Sequence, residues 1–130
     1  MSKITKVVAR QVFDSRGNPT VEAEIFSNNI SSSSICPSGA STGSFEAYEK
    51  RDNRKDYKGK SVYTAVKIIN FIISKKLKNQ NVHDQEKIDH ILLKLDGTKQ
   101  KTKLGANSML AVSMAVKKLS SKIKKIPLYK

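Results

Sequence analysis

Chemistry in this chain concentrates in residues 37–44, Pro-Ser-Gly-Ala-Ser-Thr-Gly-Ser. Four hydroxyl side chains and two glycines sit together there, directly after the apolar pair Ile35-Cys36. Glycine lets a backbone turn sharply or approach a ligand, and serine and threonine supply small oxygen donors and acceptors. Two readings of this stretch stay open on composition alone. One is a mobile lid whose hydroxyl and carbonyl oxygens suit a hard cation such as Mg²⁺, closing to exclude water. The other is a capped turn, with Ser41 or Thr42 as the N-cap and Glu46 near the capping-box position.

Other catalytic patterns meet objections. Gly39-Ala40-Ser41-Thr42-Gly43 fits G-x-S-x-G, and Asp52 or Asp56 and His83 or His90 follow in triad order. That elbow needs a parallel, doubly wound sheet around it, and the chain offers no such pattern. A P-loop fails because Ser44, not Lys, follows the second glycine. His83, Glu86 and His90 are spaced to share one helix face and bind a metal. Asp84 and Lys87 lie among them with no fourth ligand evident, so a solvated face is the simpler reading.

Charge bounds the partners. The 130 residues carry 25 basic and 11 acidic side chains, a net charge of +14. Such a balance suits a polyanion such as RNA. Yet 21 of the 25 are lysine, and phosphate-clamping and base-reading sites favour arginine. The lysines are spread along the chain, with the densest group between Lys117 and Lys130, so compositional drift explains the charge more simply than a selected nucleic-acid site. No apolar run is long enough to span a membrane, and the first residues lack a secretory layout. One cysteine, Cys36, excludes an internal disulfide, and the expected compartment is the cytoplasm.

The elements that must position residues 37–44 read as strands first and helices after. Ile4 to Phe13 is rich in β-branched and apolar residues, and Asp14 to Pro19 is a dense set of turn formers. In Thr20 to Phe26, Val21, Ala23 and Ile25 alternate with Glu22 and Glu24. Ile30 to Cys36 is a weaker strand, because Ser31 to Ser34 offer little packing area. Three strands with short connections predict an antiparallel meander. Ser61 is placed to cap a helix through Val62, Ala65, Val66, Ile69 and Ile73. Asp84 is placed to cap a second, with Ile88, Ile91, Leu92 and Leu95 on one face and Asp96-Gly97 as its stop. A third runs from about Ala106 to Lys124, before Pro127. Segregated strands and helices make the class α+β, in one domain over residues 1–130.

Asp14-Ser15-Arg16-Gly17-Asn18-Pro19-Thr20-Val21-Glu22 and Pro37-Ser38-Gly39-Ala40-Ser41-Thr42-Gly43 closely resemble the start of the enolase family. Lys103-Leu104-Gly105-Ala106-Asn107, Leu95-Asp96-Gly97-Thr98 and Pro127-Leu128-Tyr129 continue the match in register. The resemblance implies a three-stranded meander followed by a helical subdomain, packed in the family on a TIM-like barrel. It implies dehydration of 2-phosphoglycerate to phosphoenolpyruvate in glycolysis, with Mg²⁺ as cofactor. It implies that Ser38, Gly39, Ala40, Ser41, Thr42 and Gly43 form the substrate lid and that Ser41 is a ligand of the catalytic Mg²⁺. It also implies a homodimer, with Arg10 and Glu22 in ion pairs to the other subunit. The base, the general acid and the acidic metal ligands belong to the barrel, which needs roughly 250 residues. The chain reaches Lys130 where a barrel would begin, so this chain alone is expected to be inactive. The competing expectations are a basic RNA- or polyanion-binding module and a non-functional truncated remnant.

Overall fold

The computed structural model describes residues 2–36, 62–97 and 105–125. Strands β1 (Lys6–Phe13), β2 (Pro19–Ser27) and β3 (Ile30–Ile35) form an antiparallel sheet in the order β1-β2-β3. This is the expected meander, and helices follow it: the α+β class holds.

Local chemistry sets both hairpins. Between β1 and β2, Asp14 Oδ1 accepts from the backbone N–H groups of Arg16 and Asn18, each at 2.9 Å. Gly17 sits at φ 79°, where a side chain would be strained, and donates its N–H to the Asp14 carbonyl. Between β2 and β3, Asn28 takes the left-handed conformation at φ 56°, which asparagine tolerates better than most residues.

The register places Val7, Ala9, Val21, Ala23 and Ile25 on one face, all buried. Helices cover that face. Against β1 lies a helical run made of α1 (Tyr63–Ile68), a π-helical stretch (Ile69–Ile73) and α2 (Ser74–Leu77). Helix α3 (Gln85–Asp96) packs on α2 and on α4 (Ala106–Lys124), and α4 lies over β2 and β3. The core joins the sheet face to Ile69, Ile73, Leu77, Ile88, Leu92, Val112, Val116 and Leu119. Each large aliphatic side chain buried there contributes about 1.5–3 kcal/mol of transfer free energy.

Helix ends follow the sequence in part. Asp84 caps α3 by accepting from the Lys87 N–H at 3.2 Å, and Gly97 ends it at φ 69°. Helix α4 has the expected bounds. Pro127, its expected stop, lies outside the described residues, and the last described turn closes at Lys125 with φ 59°. The expected Ser61 cap also lies outside them. The N-cap position of α1 is Val62, which has no side-chain cap of its own.

Two differences from expectation have physical causes. Strand β1 begins at Lys6, because Ile4 pairs elsewhere: its N–H donates to the Gln80 carbonyl and its carbonyl accepts from Asn79, both at 2.8 Å. The π-helical stretch has no signature in apolar spacing. It carries Asn70, whose side chain accepts from the Ala9 N–H at 2.8 Å and donates to the Ala9 carbonyl at 3.2 Å. An edge strand otherwise leaves such backbone groups unpaired. Asn70 therefore pairs both of them in place of a neighbouring strand.

Candidate functional site

The stretch that carries Ser38, Gly39, Ala40, Ser41, Thr42 and Gly43 lies outside the described residues, and what the structure describes is its foundation. Cys36 extends β3 by one pair, giving its N–H to the Val21 carbonyl at 3.0 Å. Its own carbonyl accepts from Thr20 Oγ1 at 2.5 Å. On the far side, the Val62 N–H donates to Gln11 Oε1 at 2.9 Å. Gln11 and Val21 are direct partners in the β1–β2 register. Residues 36 and 62, which flank the segment, are thus tied to a single rung at the Asp14–Asn18 end of the sheet.

Sequence reasoning passed over Gln11 and Thr20. A signal for Gln11 existed: it continues the series Val7, Ala9 on the inner face of β1, where a polar side chain needs a partner. Thr20 gave less warning, since it follows Pro19 at the start of β2 and reads as an ordinary strand residue.

The opposite face of the sheet is polar. Arg10 pairs with Glu22 directly across the β1–β2 register and with Glu24 Oε1 at 2.8 Å. Ser31 Oγ donates to Glu24 Oε2 at 3.0 Å. The Arg10 hydrogen bond, then that from Ser31, lowers the Glu24 pKa below its ordinary value. Hydrogen bonds to Glu24 and then Glu22 raise the Arg10 pKa. Arg10 and Glu22, named from the resemblance, are therefore brought together within this chain. Glu24 is a partner that the motifs do not name, although it shares the alternation of Glu22. Beside this cluster the Lys6 ammonium lies 5.6 Å from the centre of the Phe26 ring.

The histidine pattern does not gather into a metal site. His83 lies before the N-cap of α3, and its Nδ1 lies 2.7 Å from Ser120 Oγ on α4. Its pKa is lowered, first by burial and then by the charges of Lys124 and the amino terminus. Among the described residues no group of three or more His, Cys, Asp or Glu side chains could hold a metal ion. The hydrolase elbow loses its context as well, because the sheet leading into residue 37 is antiparallel throughout.

The lysines of α4 are partly committed to the fold. Lys122 Nζ donates to the Ser31 carbonyl at 2.8 Å, and Lys118 Nζ lies 3.5 Å from that of Ser33. Both cover the outer edge of β3, a common way to blunt an exposed strand. Among the described helices, none is long and apolar enough to cross a membrane.

Comparison with known proteins agrees with this architecture. The family model described as "Enolase, N-terminal domain" matches residues 4–130. The chain is 67% identical to the enolase of Pelagibacter ubique (strain HTCC1062), a match covering all of this chain and 31% of that relative. It is 53% identical to the enolase of Ehrlichia canis (strain Jake), over 99% of this chain and 32% of the relative. It is 52% identical to the enolase of Methanococcus maripaludis, over 98% and 30% respectively. The chain thus spans about a third of the length of the curated relatives it matches.

Proposed function

The chain belongs to the enolase N-terminal domain family, and from that premise we propose that it serves as the lid-bearing domain of an enzyme that dehydrates 2-phosphoglycerate to phosphoenolpyruvate. The observation that carries this reading is the family match across residues 4–130. The tethering of residues 36 and 62 to one rung supports it, since a closing segment needs a firm base.

In this reading residues 38–43 close over the substrate, and Ser41 offers an oxygen to Mg²⁺. When bound, Mg²⁺ would stabilise the ene-diolate that forms once a base removes a proton from the carbon beside the carboxylate, the general scheme of enolase-superfamily sites. Mg²⁺ takes about six oxygen ligands, and a single neutral hydroxyl cannot hold it against water. In this reading Ser41 is the ligand that this chain supplies, and the base, the general acid and the acidic ligands come from the barrel domain. Arg10 and Glu22 lie on an open sheet face, consistent with a homodimer contact through them. The cytoplasm is the compartment in which the reaction is proposed to run.

The decisive experiment is a steady-state assay with 2-phosphoglycerate and Mg²⁺ on two samples. The domain joined to its barrel should turn over, and Ser41→Ala should lower kcat by at least about tenfold, the cost of losing one polar contact made in the transition state. The chain alone should show no turnover. Turnover by the chain alone, or full activity in Ser41→Ala, would overturn the assignment.

A further inference from the structure

The helical run beside β1 carries two stripes of side chains. Ala65, Ile69, Ile73 and Leu77 recur every four residues, and all are fully buried. In a plain α-helix a spacing of four drifts by about 40° per step, so such a stripe would turn away from the core. The π-helical stretch Ile69–Ile73 takes more residues per turn and offsets much of that drift. A position two residues from the buried stripe lies on the opposite side of the helix, about 200° away. Tyr63, Lys67, Phe71 and Lys75 hold that position in turn, and all are exposed. Aromatic ring and ammonium group thus alternate along the outer face, in steps of about 6 Å. Phe71 is 65% exposed, more than any other large apolar side chain described. No Asp or Glu occurs between residues 62 and 83, and among the described residues neither Lys67 nor Lys75 makes an ion pair.

We propose that this outer stripe binds single-stranded nucleic acid without regard to sequence. Unpaired bases present flat apolar faces on which Tyr63 and Phe71 stack, and the phosphates between them meet Lys67 and Lys75. A strand of alternating bases and phosphates repeats the alternation of the stripe, whereas a duplex hides the base faces. Sites that read bases favour arginine, but neutralising a phosphate needs only the point charge that lysine supplies. The densest lysine group of the chain lies on α4 instead, and two of its members are engaged with β3. This role is independent of the dehydration proposed above.

The test is a salt titration of the complete protein carrying this chain against a fluorescent oligothymidylate of about 15 nucleotides, followed by anisotropy. Phe71→Ala should weaken binding about tenfold, and Phe71→Tyr, which retains a ring, should stay within about twofold of the parent. Lys67→Gln combined with Lys75→Gln should lower the slope of log K against log salt by about 1.4, the share of two single-strand phosphate contacts. The same charge removed at the opposite edge of the sheet, by Lys118→Gln with Lys122→Gln, should lower it by less than about half as much. All four side chains of the stripe are exposed, so these variants should melt with the parent. No binding at about 50 mM salt, an unchanged affinity in Phe71→Ala, or an equal loss from the Lys118 and Lys122 pair would overturn the proposal. So would tighter binding once the complementary strand is annealed. Binding to phosphatidylserine vesicles that depends on Phe71, beside oligonucleotide binding that does not, would overturn it in favour of an anionic membrane surface.

Discussion

Arg10 is shared between two carboxylates, and the sharing limits what either pair contributes. Its side chain is 42% exposed, against 19% for Glu22 and 24% for Glu24. Ion pairs this open to solvent are weak, because water screens the charges and two long side chains must be ordered. Arg10→Ala should therefore cost at most about 1 kcal/mol in denaturant unfolding. A larger loss would mean that Arg10 supports the sheet in a way these contacts do not explain. His83 gives a pH signature of definite sign. Its folded-state pKa is lowered, so the unfolded chain binds the proton more readily. The contribution of His83 to stability is then fully present above its unfolded pKa, about 6.5. It is lost as the pH falls from there toward the folded pKa. Urea melts between about pH 7.5 and 5.5, which bracket that value, should show this decline, and His83→Gln should remove part of it. An unchanged pH profile in the variant would place the titration elsewhere.

At the scale of elements, caps and edges decide stability more than propensity does. Asp84→Ala deletes the acceptor for the Lys87 N–H at the start of α3 and should cost about 1 kcal/mol by thermal or urea unfolding. Asn70→Leu tests the unexpected contact. It leaves the Ala9 N–H and carbonyl without their partner at the edge of β1, and should cost about 1–3 kcal/mol. Amide exchange at Ala9 would localise the effect; unaltered protection there would show that Asn70 is dispensable to the edge. Helices α3 and α4 were legible because their apolar stripes are long and the ends of α3 carry Asp84 and Gly97. The strands were legible from alternation in β2 and from the turn residues on either side. The π-helical stretch was not: no apolar spacing marks it, and the contact its Asn70 makes is to a strand 61 positions earlier in the sequence.

For the whole molecule, the sheet face and the helices share one apolar core. Leu119, fully buried on α4, is a direct probe of it. Leu119→Ala should cost about 2–5 kcal/mol, with an unchanged dependence on denaturant if the same surface is still exposed on unfolding. A loss below about 1 kcal/mol would mean that the layer between α4 and the sheet is not closely packed. Charge, too, is distributed by the tertiary structure. Lys118 and Lys122 are engaged with carbonyls of β3, which removes part of the densest lysine group from the pool available to a polyanion.

The α+β class, the order of strands and helices, the caps of α3 and the family motifs were readable along the chain, because each depends on residues near one another in it. The roles of Gln11, Thr20 and Asn70 were decided only by the tertiary structure. Each is an ordinary polar side chain whose partner lies far away in sequence. Only folding brings Cys36 and Val62 to the rung that Gln11 shares with Val21. Arg10 and Glu22 stand between these cases: the resemblance named them for pairs to another subunit, but the register made them neighbours within this chain and added Glu24, because antiparallel pairing sets residues 10 and 22 face to face.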